Sequence, residues 1–423
     1  MVAEGYKKTE IGVIPVEWDV VKLGSLGNTY SGLSGKTKED FGSGSPYITY
    51  MNVFSNNSID ATMIEYVNIN SNETQNIVQN GDIFFTVSSE TKDEVGMTSV
   101  LLEELEEDTY MNSFCFGFRL HNNEKLLPRF AKFLLREHNT RKRITFYGAG
   151  TTRINISKVK LMDLLLPLPP LKEQEKIADI LCSADDKIDT IASQIEKAET
   201  LKKGLLQKLL SEGIGHSEFK DSELGKIPES WETNELEKAT TYVDYRGKTP
   251  TKTKSGIFLI TARNIKGNKI DYSLSNEYIA EKDYETVMSR GKPQVGDVLL
   301  TTEAPLGQIA SIDKVYVALA QRIIKYRGVE NYLDNSFLKH YFISSKFQDL
   351  LLLNSTGSTV KGIKGSRLKK LKIAIPPLKE QKQIADILST ADEKLEVLRD
   401  KKQKYETLKK GLLQKLLSGE IRV

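Results

Sequence analysis

Residues 199–211 read ETLKKGLLQKLLS, and residues 406–418 read the same thirteen letters. At that offset of 207, residues 169–181, PPLKEQEKIADIL, match residues 376–388, PPLKEQKQIADIL, at all but two positions. Self-similarity at one long period marks a duplicated structural unit. Weaker echoes lie outward from it. Ile14, Pro15 and Trp18 reappear as Ile227, Pro228 and Trp231, and Gly81-Asp82 as Gly296-Asp297, at offsets of 213 and 215. The chain is therefore one module written twice, each copy a variable part of about 150 residues followed by a nearly constant segment. An IPxxW segment both opens the chain and follows the first constant segment, so the pattern closes on itself. It predicts a pseudo-two-fold object with neighbouring termini.

The constant segments read as helices. Pro169 and Pro170 suit a helix entry, where missing N–H groups cost little, and the helix is expected to begin near Leu171. Ile177, Leu181, Ala184, Ile188, Ile191, Ile195 and Ala198 step by four and three, an a/d seam that Leu205 resumes after Lys202. In the second copy Ile384, Leu388, Ala391, Leu395 and Leu398 repeat it, with Lys402 and Tyr405 beyond. Forty residues of helix span roughly 60 Å. Gly204 and Gly411 interrupt the helices at a cost of about 1 kcal/mol each, and Gly213 offers a C-cap. A long single stripe wants a partner helix, and the chain supplies one, so an antiparallel coiled coil is expected; the alternative is packing of each helix on its own domain. Leu201, Leu206 and Leu210 lie off the seam, available to the domains or to a partner protein.

Short apolar runs bounded by turn residues read as strands at 47–53, 82–87, 113–120, 257–261 and 297–302, and 129–138 and 335–344 read as helices. The expected fold is α+β: globular domains at 1–168 and 212–375, and spacer helices at 169–211 and 376–418.

The chain of 423 residues has a net charge of only +3, so whole-chain charge does not decide whether it binds nucleic acid. Distribution is more telling. Residues 129–165 hold nine Lys or Arg against two acidic residues, and residues 336–372 hold eight against one, net +7 in each. Inside them lie Gly150-Thr151-Thr152-Arg153, followed by Lys158 and Lys160, and Gly357-Ser358-Thr359-Val360, followed by Lys361, Lys364 and Arg367. Glycine lets a backbone approach a polyanion, hydroxyls bond phosphate, and cations release condensed counterions. Base readout requires side chains that reach groove edges. Candidates are Ser31, Lys36, Thr49, Tyr50 and Asn52 in the first copy, and Tyr245, Arg246, Lys248, Thr249, Thr261, Arg263 and Asn264 in the second.

Several chemistries lack their residues. The Pro-Pro pairs are helix entries, not the NPP[FY]-like loop of an adenine methyltransferase. Gly35-Lys36-Thr37 and Gly247-Lys248-Thr249 resemble the end of a phosphate loop, but Tyr30 and Tyr242 stand where its first glycine belongs. The four histidines have no paired spacing, and Cys115 and Cys182 suggest neither a disulfide framework nor a zinc site. Asp82, Glu90 and Lys92 form D-x7-E-x-K, the residue types of a metal-dependent nuclease, but Pro305 stands in place of the lysine in the second copy; a strand followed by a polar loop is the simpler reading. With no apolar signal core or span-length run, the chain is expected to be cytoplasmic, free of membrane and without a cofactor of its own.

The duplicated PPLKEQ…ETLKKGLLQKLLS helices, the IPxxW openings and ITARNIKGNKID at residues 260–271 resemble the specificity subunit of type I restriction-modification systems. The resemblance spans essentially the whole chain. It implies two target-recognition domains, each reading half of a bipartite double-stranded DNA site, with helices setting the unread gap. It implies further that two methyltransferase subunits dock on the helices, bringing S-adenosylmethionine, that ATP-dependent restriction subunits join them, and that this chain is catalytically silent. One departure is Met51, opposite Arg263, so an arginine contact there does not transfer to the first domain. A coiled-coil scaffold joining two protein-binding domains is the alternative; it explains the helices but not the paired basic windows.

Overall fold

The computed structural model describes residues 3–245 and 250–423. The chain divides into two compact units, Met1–Ile191 with Lys401–Val423, and Ala192–Asp400. Both boundaries fall inside long helices, so each helix contributes to both units.

The first helix spans Leu171–Leu209 and the second Leu378–Leu417. In the first unit Lys409 pairs with Asp185, and Arg422 reaches Glu173 at 2.6 Å; in the second, Lys202 pairs with Asp392 and Arg399 with Glu199. In each case partner numbers fall as helix numbers rise, so the helices run antiparallel. The predicted seam is the buried stripe. Ile177, Leu181, Ala184 and Ile191 are buried on the first helix and Ile384, Leu388 and Leu395 on the second, with the intervening seam positions half-buried. Full burial of each such isoleucine or leucine contributes about 1.5–3 kcal/mol. Of the off-seam leucines, Leu206 and Leu210 pack into the second unit's core while Leu201 stays exposed.

Both variable parts carry the same sheet plan. In the first unit Asp19–Lys22 pairs antiparallel with Leu165–Leu168, the strand that leads into the helix; in the second Glu232–Glu235 pairs with Lys372–Ile375. A four-stranded antiparallel sheet runs Gly27–Ser31, Cys115–Leu120, Ile83–Thr86, Thr98–Val100. Its counterpart runs Thr240–Asp244, Ile323–Gly328, Val298–Thr302, Leu306–Ser311. Beside each lies a sheet with one parallel pair, Tyr110–Met111 on Phe41–Ile48 and Ala318–Leu319 on Ile257–Ile260. Alternation along these strands sends Phe85, Phe116 and Phe118 into a core with Trp18, Ile177, Leu181 and Leu416, and Tyr326 into one with Trp231, Phe337, Ile384 and Leu388. The chain ends meet within the first unit, as the closing repeat predicts: the Tyr6 hydroxyl donates to the Gly419 carbonyl at 2.9 Å.

Two expected elements are redrawn by local capping. The run 47–53 is not one strand, because Thr49 accepts from the Asn52 amide at 3.1 Å and starts a short helix, Tyr50–Ser55. Threonine and asparagine side chains compete with a sheet ladder for local backbone groups. The helix expected at 129–138 is two, Pro128–Leu134 and His138–Phe146, because Glu137 caps the second by accepting from Asn139 and Thr140. Ser344 does the same before Ser345–Leu353.

Candidate nucleic-acid interface

The two glycine-hydroxyl sequences sit at the tips of equivalent turns. Gly148–Ala149 pairs with Ile154–Ile156, which pairs in turn with Ser88–Ser89. In the second unit Thr356 and Gly362 exchange backbone bonds of 2.8 and 2.9 Å, and Gly362 also bridges to Glu303. Gly150 has φ +137° and Gly357 φ +105°, and a Cβ on either would meet the carbonyl oxygen three residues on, at 2.1 and 2.2 Å. Only glycine closes this turn. Thr151, Thr152 and Arg153, and Ser358, Thr359 and Lys361, are left exposed. Lys364 and Lys160 are exposed nearby, and Lys158 donates to Ser31 Oγ at 3.1 Å from beside the Phe116 ring.

The other candidates divide sharply. Asn52 and Asn264 are fully buried. The Asn52 amide donates to the Asp60 carbonyl at 2.8 Å and accepts from the Asp60 N–H at 3.0 Å; that of Asn264 donates to the carbonyls of Asp271 and Ser275 at 3.0 Å and accepts from Thr261. These asparagines hold turns and have no group left for a base. Thr49 and Thr261 cap the same turns. Lys36 is likewise corrected: its ammonium is bound by Glu73 at 2.6 Å and by the Asn68 carbonyl at 2.5 Å. Tyr245 is buried against the Gly291 carbonyl, with its phenol pushed up by burial. Tyr50 is half-buried, its hydroxyl donating to the Ser88 carbonyl at 2.9 Å. Arg263 is exposed, while Arg246, Lys248 and Thr249 lie outside the described residues.

The basic windows also look different in three dimensions. Arg136 donates to the carbonyls of Val53, Phe54, Asn56 and Thr98, and Arg141 to those of Asp93, Val95 and Gly96. Burial lowers both guanidiniums to about 10. Lys132 is buried, and Lys369 and Lys372 are paired with Glu237 and Glu223. The equal net charges therefore overstate two equal faces; Arg153 and Lys361 are exposed at the turn tips, while Arg129, Lys142 and Lys346 are exposed on helices outside them. Asp82, the nuclease-like carboxylate, is 1% exposed and holds Arg119 at 2.7 and 2.8 Å and the Tyr30 hydroxyl at 2.6 Å. Asp297 holds Arg327 in the same way, so both acids are structural.

Sequence reading missed the neighbours of the tips. Arg322 pairs through Nε with Glu303 at 3.0 Å, and Arg153 lies 5.6 Å over the half-exposed Phe114 ring. Only strand pairing brings these positions together. Among the described residues no three or more His, Cys, Asp or Glu gather as a metal-holding group, and no helix is long and apolar enough to cross a membrane.

Relatives span the whole length of the chain. A Methanocaldococcus jannaschii protein assigned as the specificity subunit of type I restriction enzyme MjaX is 32% identical, covering 99% of this chain and 97% of its own. The Escherichia coli EcoKI specificity subunit is 21% identical over 97% and 90%. Among solved structures, the S subunit of a type I restriction-modification system from M. genitalium aligns over 94% of this chain and 96% of its own, with a TM-score of 0.58 at 17% identity. The type I restriction modification DNA specificity domain matches twice, at residues 15–200 and 228–407, and the chain belongs to that family.

Proposed function

We infer that the chain is the DNA-reading subunit of a type I restriction-modification complex, each unit reading one half of a split double-stranded target. It directs two methyltransferase subunits and the restriction subunits to that target and performs no chemistry itself. Methyl donor and nucleotide belong to those partners, and the complex works in the cytoplasm. The reading domains are 1–168 and 212–375, with 169–211 and 376–418 as the spacer helices between them.

The observation that carries this reading is the paired turn. Two sequence-divergent domains build the same glycine-closed tip, with exposed hydroxyls at Thr151, Thr152, Ser358 and Thr359 and cations at Arg153, Lys158, Lys361 and Lys364. Hydroxyls and cations on exposed turns are groups that contact phosphate and fix register on a duplex. A protein-binding scaffold needs no such repetition. The test is to sequence methylated sites in cells carrying this chain and its methyltransferase subunit. A two-part motif with a fixed gap is expected; methylation without any such motif would overturn the reading.

A further inference from the structure

Backbone pairing places chemically opposite side chains at the same point of the ladder in the two units. The Val87 amide donates to the Phe114 carbonyl at 2.9 Å, and the Ile156 amide to the Val87 carbonyl at 2.8 Å. In the second unit Thr302 donates to Arg322 at 2.9 Å, and Ile363 to Thr302 at 3.0 Å. Phe114 and Arg322 thus occupy the same place, one strand away from the glycine-closed tip. Both are about half exposed, at 52% and 49%. At a half-exposed position, Phe against Arg is not a packing exchange.

The surroundings of Arg322 point to a ligand. Its backbone sits at φ +77°, and Ala304, next to its partner Glu303, at φ +47°, in the left-handed region that side-chain-bearing residues rarely adopt. Such outliers persist where the fold holds a residue in place for a purpose. Arg322, Arg263, Gln321 and Thr261 line one groove. Glu303 lies 3.0 Å from Nε, the inner nitrogen of the guanidinium, and the two terminal amino groups form a planar fork. That fork matches O6 and N7 of guanine in the major groove, the commonest specific arginine contact.

We propose that this shared position is the base-discriminating one: Arg322, oriented by Glu303, reads a guanine in the half-site of the second unit, and Phe114 at the same place contacts a thymine methyl in the half-site of the first. The proposal rests on the DNA-reading function inferred above. It makes Arg322 and Phe114 specificity-determining residues and Glu303 a positioning residue.

The full chain, assembled with its methyltransferase subunit, is used to select targets from randomised duplex DNA. Arg322→Gly suits the left-handed backbone, so unchanged thermal unfolding is expected. It should cost roughly tenfold or more in preference at one guanine of one half-site, leaving the other half unchanged. Arg322→Lys keeps the charge and loses the fork, and should relax the same base pair while retaining affinity for DNA overall. Phe114→Ala should relax a thymine in the opposite half. An unaltered motif with Arg322→Lys, or a uniform loss of affinity with Arg322→Gly, would make Arg322 a phosphate contact and overturn the proposal. If the wild-type assembly selects no split motif, the DNA-reading function itself fails.

Discussion

The Trp18 indole donates to Glu173 at 3.1 Å, and Trp231 makes the same bond to Glu380 at the same distance. Each pair joins the IPxxW opening of a unit to the first turn of a long helix. The next residue completes the joint: Gln381 accepts from the Asp334 amide and donates to the carbonyls of Tyr332 and Pro376, all at 2.8 Å, and Gln174 does the same for Leu127, Lys125 and Pro169. The KEQ letters are identical in both copies because a carboxylate and an amide with these reaches close the joint.

Replacing Gln381 by alanine strands three backbone groups, one buried and two half-buried, each worth up to about 1–3 kcal/mol if left wholly unpaired. A loss of about 2–4 kcal/mol in urea unfolding is expected, given partial rescue by water. Glu380→Gln keeps an acceptor for the Trp231 indole and should cost less. A loss from Glu380→Gln as large as that from Gln381→Ala would show that the charge on Glu380 holds the joint as strongly as the amide network does.

Asp297 is buried with Arg327 at 2.6 Å and Lys325 at 3.3 Å. Asp297→Ala leaves those cations without their carboxylate and should destabilise by about 3–5 kcal/mol. Asp82→Ala should do the same through Arg119. Neither variant is expected to alter DNA cleavage by the isolated chain with Mg2+, which should be nil throughout. Measurable nicking by the wild type, lost in Asp82→Ala, would restore the nuclease reading.

What the sequence made legible follows from periodicity. The helix seam and entry at Leu171 could be read because heptads and proline entries act over a few neighbours. The repeat then extended one half's reading to the other. Side-chain fate was opaque. Asn52 and Asn264 look like base readers in one dimension but are consumed by turns eight to eleven residues on, and Arg136 looks like surface charge but satisfies four carbonyls. Phe114 and Arg322 drew no notice, since their equivalence exists only across strand pairing.

His340 tests the electrostatics of the second unit's helix packing. It is buried, its Nε2 lies 3.1 Å from Ser389 Oγ, and burial lowers it from 6.5 to about 4 against the opposing pull of Asp392, with Lys339 and Lys202 adding to the depression. Below pH 6.5 the unfolded chain gains a proton that the folded chain refuses, so this group's contribution worsens as pH falls from 6.5 towards 4 and is silent above. The slope reaches at most about 1.4 kcal/mol per pH unit. Phe133 occupies the matching place in the first unit, so His340→Phe is a natural comparison. The variant should lose less stability than wild type between pH 6.5 and 4 in thermal unfolding. Parallel profiles would mean that His340 takes up its proton in the folded state.

The turn tips and the buried arginines make opposite predictions for DNA. Each phosphate neutralised contributes roughly 0.9 to the slope of log affinity against log salt. Substituting Arg153, Lys158, Lys361 and Lys364 together by alanine should therefore flatten that slope by about 2–4 and weaken target and random DNA alike. These side chains are exposed or half-exposed, so unfolding temperature should hardly move. Arg136→Ala and Arg141→Ala remove as much formal charge per residue from the same sequence window, but those guanidiniums serve carbonyls inside the fold. They should lower stability and leave the salt slope of the folded protein unchanged. Charge counted along the chain predicts equal effects from the two sets; charge placed by the fold predicts effects on different measurements, so salt titrations run beside unfolding curves discriminate between them.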